Sequence, residues 1–191
     1  MFPRSRIDAL TDGIFSVAMT LLVLDVRLPD DFRAQYAADL LQALASLMPK
    51  LLPYVLSFGV LGLCWLRNIS LRRGGEAYGR AYVHWWLVYL LLVTFVPFAA
   101  SIAGRFPSLA PAAWVYAGTT FSIALVALRM LSLTPDVEPA DKRNQKMSLL
   151  VILVSSAIAV AWSFFKPEHA LWFLATNLFV PYFTGRAHKA A

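Results

Sequence analysis

The sequence predicts an all-α, polytopic membrane protein with six transmembrane helices, and three observations predict it. Apolar stretches recur along the whole chain, each long enough to cross a bilayer core, which takes about 20 helical residues. Hydrophobic residues make up 59% of the 191 residues and charged residues only 15%, where a soluble domain carries about a quarter. The basic residues sit in the gaps between apolar stretches rather than in one patch. The formal charge of +6 therefore belongs to membrane topology and not to a nucleic-acid partner.

The first apolar stretch, 7–28, carries Arg6, Asp8 and Asp12 at one end and Asp25 at the other. Ionisable groups on a membrane helix are expensive unless they pair, line a watery path or sit near a surface, so this helix reads as a working part rather than a tether. Asp8 and Asp12 also interrupt what would be the apolar core of a signal peptide, and no small-x-small cleavage site follows. The helix is therefore expected to be retained. The remaining spans fall at 51–71, 81–104, 110–133, 147–165 and 169–185. Turn and charge chemistry separates the spans at Pro29-Asp-Asp, Arg72-Arg-Gly-Gly-Glu, Gly104-Arg-Phe-Pro, Pro135-Asp-Val-Glu-Pro and Lys166-Pro-Glu. Residues 1–191 thus read as one six-helix domain.

One segment lies outside that scheme. Leu40, Leu41, Leu44, Leu47 and Met48 share a helical face within 37–48. With Pro49 and Pro53 at the junction, this reads as an outer helical extension kinked near Lys50 and leading into the second span. An interfacial helix lying on the outer leaflet is the alternative.

With the N-terminus in the cytoplasm, Arg4, Arg6, Arg67, Arg72, Arg73, Arg80, Arg129, Lys142, Arg143, Lys146, Arg186 and Lys189 fall on the inner side. Only Arg27, Arg33, Lys50, Arg105 and Lys166 fall on the outer side. The positive-inside rule then places both termini in the cytoplasm. Tyr78, Tyr82, Trp85, Trp86, Trp114, Tyr116, Trp162 and Trp172 lie toward predicted helix ends and read as interface anchors. The single cysteine, Cys64, excludes an intrachain disulfide and reads as a small packing residue.

The chemistry of an enzyme is missing. His84, His169 and His188 fall in different places, with no His-Glu-x-x-His and no Gly-x-Ser-x-Gly among them. A Thr-Val-Gly-Tyr-Gly carbonyl filter and an arginine ladder are missing too. If this chain conducts ions, the first helix is the element to select them. Val17, Leu21, Leu24 and Leu28 form one stripe on it with Thr20 beside them, and Ala18 falls on the opposite, lipid-facing side.

Arg6-Ile-Asp-Ala-Leu-Thr-Asp12 resembles the Arg-x-x-x-Phe-Ser-Asp signature of the transmembrane-protein-175 family, the lysosomal potassium channels and their bacterial relatives. The Thr20-Leu-Leu-Val-Leu-Asp25 that follows, Pro29, Trp65 in the second span and Val96-Pro-Phe98 in the third are similar to the family's pattern as well. The resemblance implies a bacterial plasma-membrane homotetramer in the lipid bilayer, with the first helix of each subunit around a central pore. It implies apolar constriction rings at Val17, Leu21 and Leu24, with Thr20 next to the path and no cofactor beyond permeating potassium ions. Arg6, Thr11 and Asp12 take the signature positions that brace the pore helix, with Trp65 and Asn68 in the same network. Three departures stand out: Leu10 and Thr11 replace the signature's phenylalanine and serine, Val17 replaces a larger aliphatic residue, and Asn68 stands where many relatives carry histidine.

A potassium-permeable cation channel is therefore the expected function, and a proton- or cation-coupled secondary transporter using Asp12 and Asp25 is the alternative. A membrane scaffold without transport is a third reading. In the channel, Asp25 at the outer mouth and Asp8 or Asp12 at the inner one would concentrate cations, unless Asp25 and Arg27 belong to a solvated outer loop.

Overall fold

A computed structural model describes residues 2–28, 32, 33, 35–70, 77–134 and 139–178. Pro29-Asp-Asp, residues 71–76, residues 135–138 and everything after 178, including Arg186, His188 and Lys189, lie outside the described residues. Among the described residues, five helices are long and apolar enough to span a membrane. These are α1 (Arg4–Leu22), α3 (Met48–Ser70), α4 (Arg80–Arg105), α5 (Ala110–Ser132) and α6 (Pro139–Ser163). Two shorter ones, α2 (Ala37–Ala45) and α7 (Ala170–Ala175), complete the set. The predicted sixth span, 169–185, is seen as α7 and a 3-10 turn through Leu178, and its remainder lies outside the described residues.

The two strands are minimal. Phe2–Pro3 (β1) and Ala77–Tyr78 (β2) pair antiparallel, Phe2 opposite Tyr78 and Pro3 opposite Ala77. The pairing sets the chain start beside the connection between α3 and α4, so both lie at the same end of the bundle.

The helix α4 is the spine: α1, α3 and α5 all pack on it, and α6 packs on α5. Its buried residues include Tyr82, Trp86, Tyr89, Val93, Val96, Ala100 and Ala103, a repeat of four and three that keeps one stripe facing its neighbours. Against it, α5 buries Ala112, Ala113, Ala117, Ala124 and Ala127. Small side chains let helix backbones approach where lipid supplies no hydrophobic driving force. Polar groups then bond between helices. Ser57 pairs with Tyr116 at 2.9 Å, Thr120 with Ser156 at 3.0 Å, and the Trp114 indole donates to Ser163 at 2.8 Å. Cys64 is buried, as a packing residue should be.

Two expectations need correction. The 37–48 segment is not an extension kinked near Lys50. It is a separate helix, α2, that ends in a turn at Ser46 and Leu47 before α3 begins at Met48. The Ser46 and Leu47 amides bond back to Gln42 and Leu44, closing α2. Pro49 then falls in the first turn of α3, where its missing N–H costs nothing. Helix α2 buries no residue and leaves Leu40, Leu41 and Leu44 exposed, which suits the interfacial alternative.

The second correction concerns the aromatics. Tyr82, Trp86 and Tyr116 are core residues, not interface anchors. Helix phase turns these three inward, against the neighbouring helices. Trp114, Trp162 and Trp172 do stand exposed.

Candidate functional site

Helix α1 has two faces. Ile7, Thr11, Phe15, Ala18 and Leu22 are buried against the subunit, recurring every three or four residues as a helix packing on α4 and α3 requires. The other face is uncovered. Val17 is 57% exposed and Leu21 44%, Leu24 is 64% exposed in the 3-10 turn Val23–Asp25 that continues the helix, and Arg6, Leu10, Gly13 and Thr20 are exposed with them. The predicted stripe is therefore a continuous apolar face that its own subunit leaves open, except that Leu28 at its end is partly covered. Ala18, expected on the lipid, is 2% exposed and belongs to the packed face. A small residue there lets α1 lie close to its neighbours.

Three hydroxyls of α1 are satisfied within the helix. Thr11 donates to the Ile7 carbonyl, Ser16 to Asp12 and Thr20 to Val17, each at 2.8 Å. In an apolar surrounding, a polar group without a partner costs several kcal/mol, and these bonds let Thr20 stand on the uncovered face without a protein partner across it.

The signature residues divide between the two faces. The Trp86 indole donates to the Thr11 hydroxyl at 2.9 Å, a buried bond from α4 to α1. The Trp65 indole donates to the Asp12 carboxylate at 2.9 Å, a bond from α3. Thr11 and Asp12 thus hold α1 to its own subunit from two sides. Arg6 points the other way: it is exposed on the uncovered face and forms no ion pair among the described residues. Asn68 lies apart from them, donating to the Cys64 carbonyl at 2.9 Å and to the Tyr89 hydroxyl at 3.3 Å. Arg67 donates to the same Tyr89 oxygen at 3.3 Å, so Asn68 belongs to a cluster between α3 and α4, not to the braces of α1.

At the other end, Asp25 is engaged. Its Oδ1 accepts from Arg105 at 3.0 and 3.2 Å and from Ser101 at 2.9 Å. Both partners come from the last turns of α4, so Asp25 ties the far end of α1 to that helix.

Sequence reasoning missed Trp86, Tyr89, Arg67, Ser101 and Arg105. The signal for the first two was present in the Tyr82-Trp86-Tyr89-Val93-Val96 spacing, a buried stripe that reading by position along the helix alone overlooks. Nothing local announces Ser101 and Arg105, which meet Asp25 only because α1 and α4 lie side by side.

Fold and site together define a multi-pass helical membrane protein whose first helix is bolted to its own subunit and carries an open apolar face. The family model described as "Endosomal/lysosomal potassium channel TMEM175" matches residues 6–97, which contain all but the first two residues of α1, both tryptophan braces and Asp25. A potassium channel of Chamaesiphon minutus is 34% identical over 128 residues, covering 65% of this chain and 63% of that protein. One of Streptomyces collinus is 30% identical over 130 residues, covering 68% and 61%. The chain thus spans under two thirds of the length of these relatives. The crystal structure of a lysosomal potassium-selective channel TMEM175 homolog from Chamaesiphon minutus superposes with a TM-score of 0.82, covering 94% of this chain and 97% of that one at 26% identity. The chain is thus similar in sequence and in fold to channels of the TMEM175 family.

Proposed function

We propose that this protein is a potassium-permeable cation channel of a bacterial plasma membrane, built by four copies with α1 innermost. The observation that carries the reading is the apolar face of α1 that the folded subunit leaves open at Val17, Leu21 and Leu24. A single copy cannot enclose a path, whereas a ring of such helices places three apolar girdles along one axis. Narrow apolar constrictions hold back ions by shedding water. The relatives named as potassium channels support the ion.

In this reading Val17 forms the narrowest ring, Thr20 stands next to the path, and Arg6 reaches the neighbouring subunit. In the same reading both termini lie in the cytoplasm, on the side that the basic residues favour. Ions pass and no cofactor is used; no catalytic chemistry is assigned. Asp12 and Asp25, the acids a coupled carrier would use, are engaged by Trp65 and by Arg105 with Ser101, which favours the channel over the transporter. Purified protein in liposomes under a potassium gradient tests the reading. Flux that does not saturate and needs no counter-ion is expected; saturable, ion-coupled flux would favour the carrier, and no flux would sink both.

A further inference from the structure

The α4–α5 surface holds a second feature, unrelated to the open face of α1. Trp85 from α4, with Leu125, Val126, Leu128, Arg129 and Ser132 from α5, lines a groove of about 480 Å³. Its chemistry is graded along its length. Leu125 lies about 10 Å along the helix from Ser132 at 1.5 Å per residue, so the aliphatic end lies deeper in the bilayer and the polar end at the helix terminus. At that terminus Ser132 donates to the Arg129 carbonyl at 2.6 Å, and Arg129 Nη1 reaches the Ser132 oxygen at 3.4 Å. The hydroxyl therefore orients the guanidinium while most of its five donors remain for another partner. Arg129 is exposed and pairs with no carboxylate among the described residues. Arg80, also exposed, precedes Trp85 by five residues, about 7.5 Å further toward the membrane surface.

We propose that this groove binds an anionic phospholipid of the cytoplasmic leaflet, its acyl chain along Leu125, Leu128 and Trp85 and its phosphate on Arg129. Charge selects the occupant. A second copy of a chain with formal charge +6 brings like charge to Arg129, whereas an anionic headgroup neutralises it. The oxygens of a phosphate also match the planar fork of a guanidinium better than a lone carbonyl does. The site rests on the membrane placement of α4 and α5 and not on conduction.

Native mass spectrometry of the full chain in detergent, with phosphatidylglycerol and phosphatidylcholine of matched acyl chains in equal amounts, provides the test. The wild-type protein should retain phosphatidylglycerol about fivefold over phosphatidylcholine, the worth of one cation near an anionic lipid surface. Arg129→Gln should bring the two to parity, Arg129→Lys should keep the preference, and Leu125→Trp should lower retention of both lipids. Both positions are exposed, so these variants leave the packed core intact. Equal retention by the wild type, or a preference that survives Arg129→Gln, overturns the proposal. So does lipid retained by the single chain but excluded from its oligomer, because the face would then be a contact between copies.

Discussion

Val17 is the residue on which most of the proposed mechanism turns, because it combines a small aliphatic side chain with exposure on the open face of α1. If apolar girth sets the barrier, Val17→Ala should raise flux and relax discrimination between potassium and sodium. Val17→Phe should lower flux, since the added ring is repeated by symmetry at one level. Permeability ratios and unitary currents of the two variants check this. Ala18 is unsuitable as a control because it is packed; Val154 on α6, exposed and on a helix that packs against α5 and α7, should tolerate Ala with unchanged currents. Size-independence at Val17 would place the path on another face. The braces give a separate residue-scale expectation. Trp65→Phe keeps the ring and removes the donor to the Asp12 carboxylate; a hydrogen bond to a charged group contributes about 1.5–3 kcal/mol. Trp86→Phe removes a neutral bond to Thr11, and such interhelical bonds average about 0.6 kcal/mol in membranes. Thermal unfolding in detergent should therefore rank Trp65→Phe below Trp86→Phe, and the reverse order would show that the Asp12 bond is not the main brace.

At the scale of elements, α1 is held at two levels. Tryptophans of α3 and α4 hold it near its middle, at Thr11 and Asp12, and the Asp25–Arg105–Ser101 clasp holds the turn just beyond its end. The Arg105 side chain is 52% exposed, so solvent screens the pair and its own contribution to stability is at most about 1 kcal/mol. Its larger consequence is electrostatic. A carboxylate matched by a guanidinium at 3.0 Å presents little net charge to approaching cations. Arg105→Gln leaves the Asp25 charge uncompensated, and potassium flux should rise at low ionic strength. The gain should fade near 1 M salt, where the screening length is about 3 Å. Flux measured across a salt series checks this, and a gain that ignores ionic strength would point to loosening of α1 instead.

For the whole molecule, the open faces of four α1 helices need one another. Native mass spectrometry of the detergent-solubilised protein should show four chains, and a clean monomer or dimer would remove the proposed pore. Arg6 belongs to this scale. Since it is exposed and makes no ion pair within the described residues, Arg6→Ala should leave the unfolding of the single chain nearly unchanged. It should instead lower the yield of the assembled form, with current lost in proportion. Normal assembly and normal flux in that variant would leave Arg6 without the bridging role.

The sequence by itself determined the membrane class, four of the spans to within a few residues and the apolar stripe of α1. Hydrophobic length and helical spacing are local properties that survive any packing. It also pointed to the family, because Arg6, Thr11 and Asp12 are read one after another along a single helix. What it left open depends on which helix lies beside which. Trp86 and Tyr116 sit at positions along their helices that suit an interfacial ring equally well, and only the packing of α1 and α3 against α4 and α5 turns them inward. Pro49 reads as a kink until α2 is seen to end before it. Asp25 reads as a charged mouth until Arg105, 80 residues away in the chain, is brought to 3.0 Å. Spacing along one helix fixes which residues share a face; which face is buried, and by what partner, is set by contacts between distant segments, and these the tertiary structure alone decides.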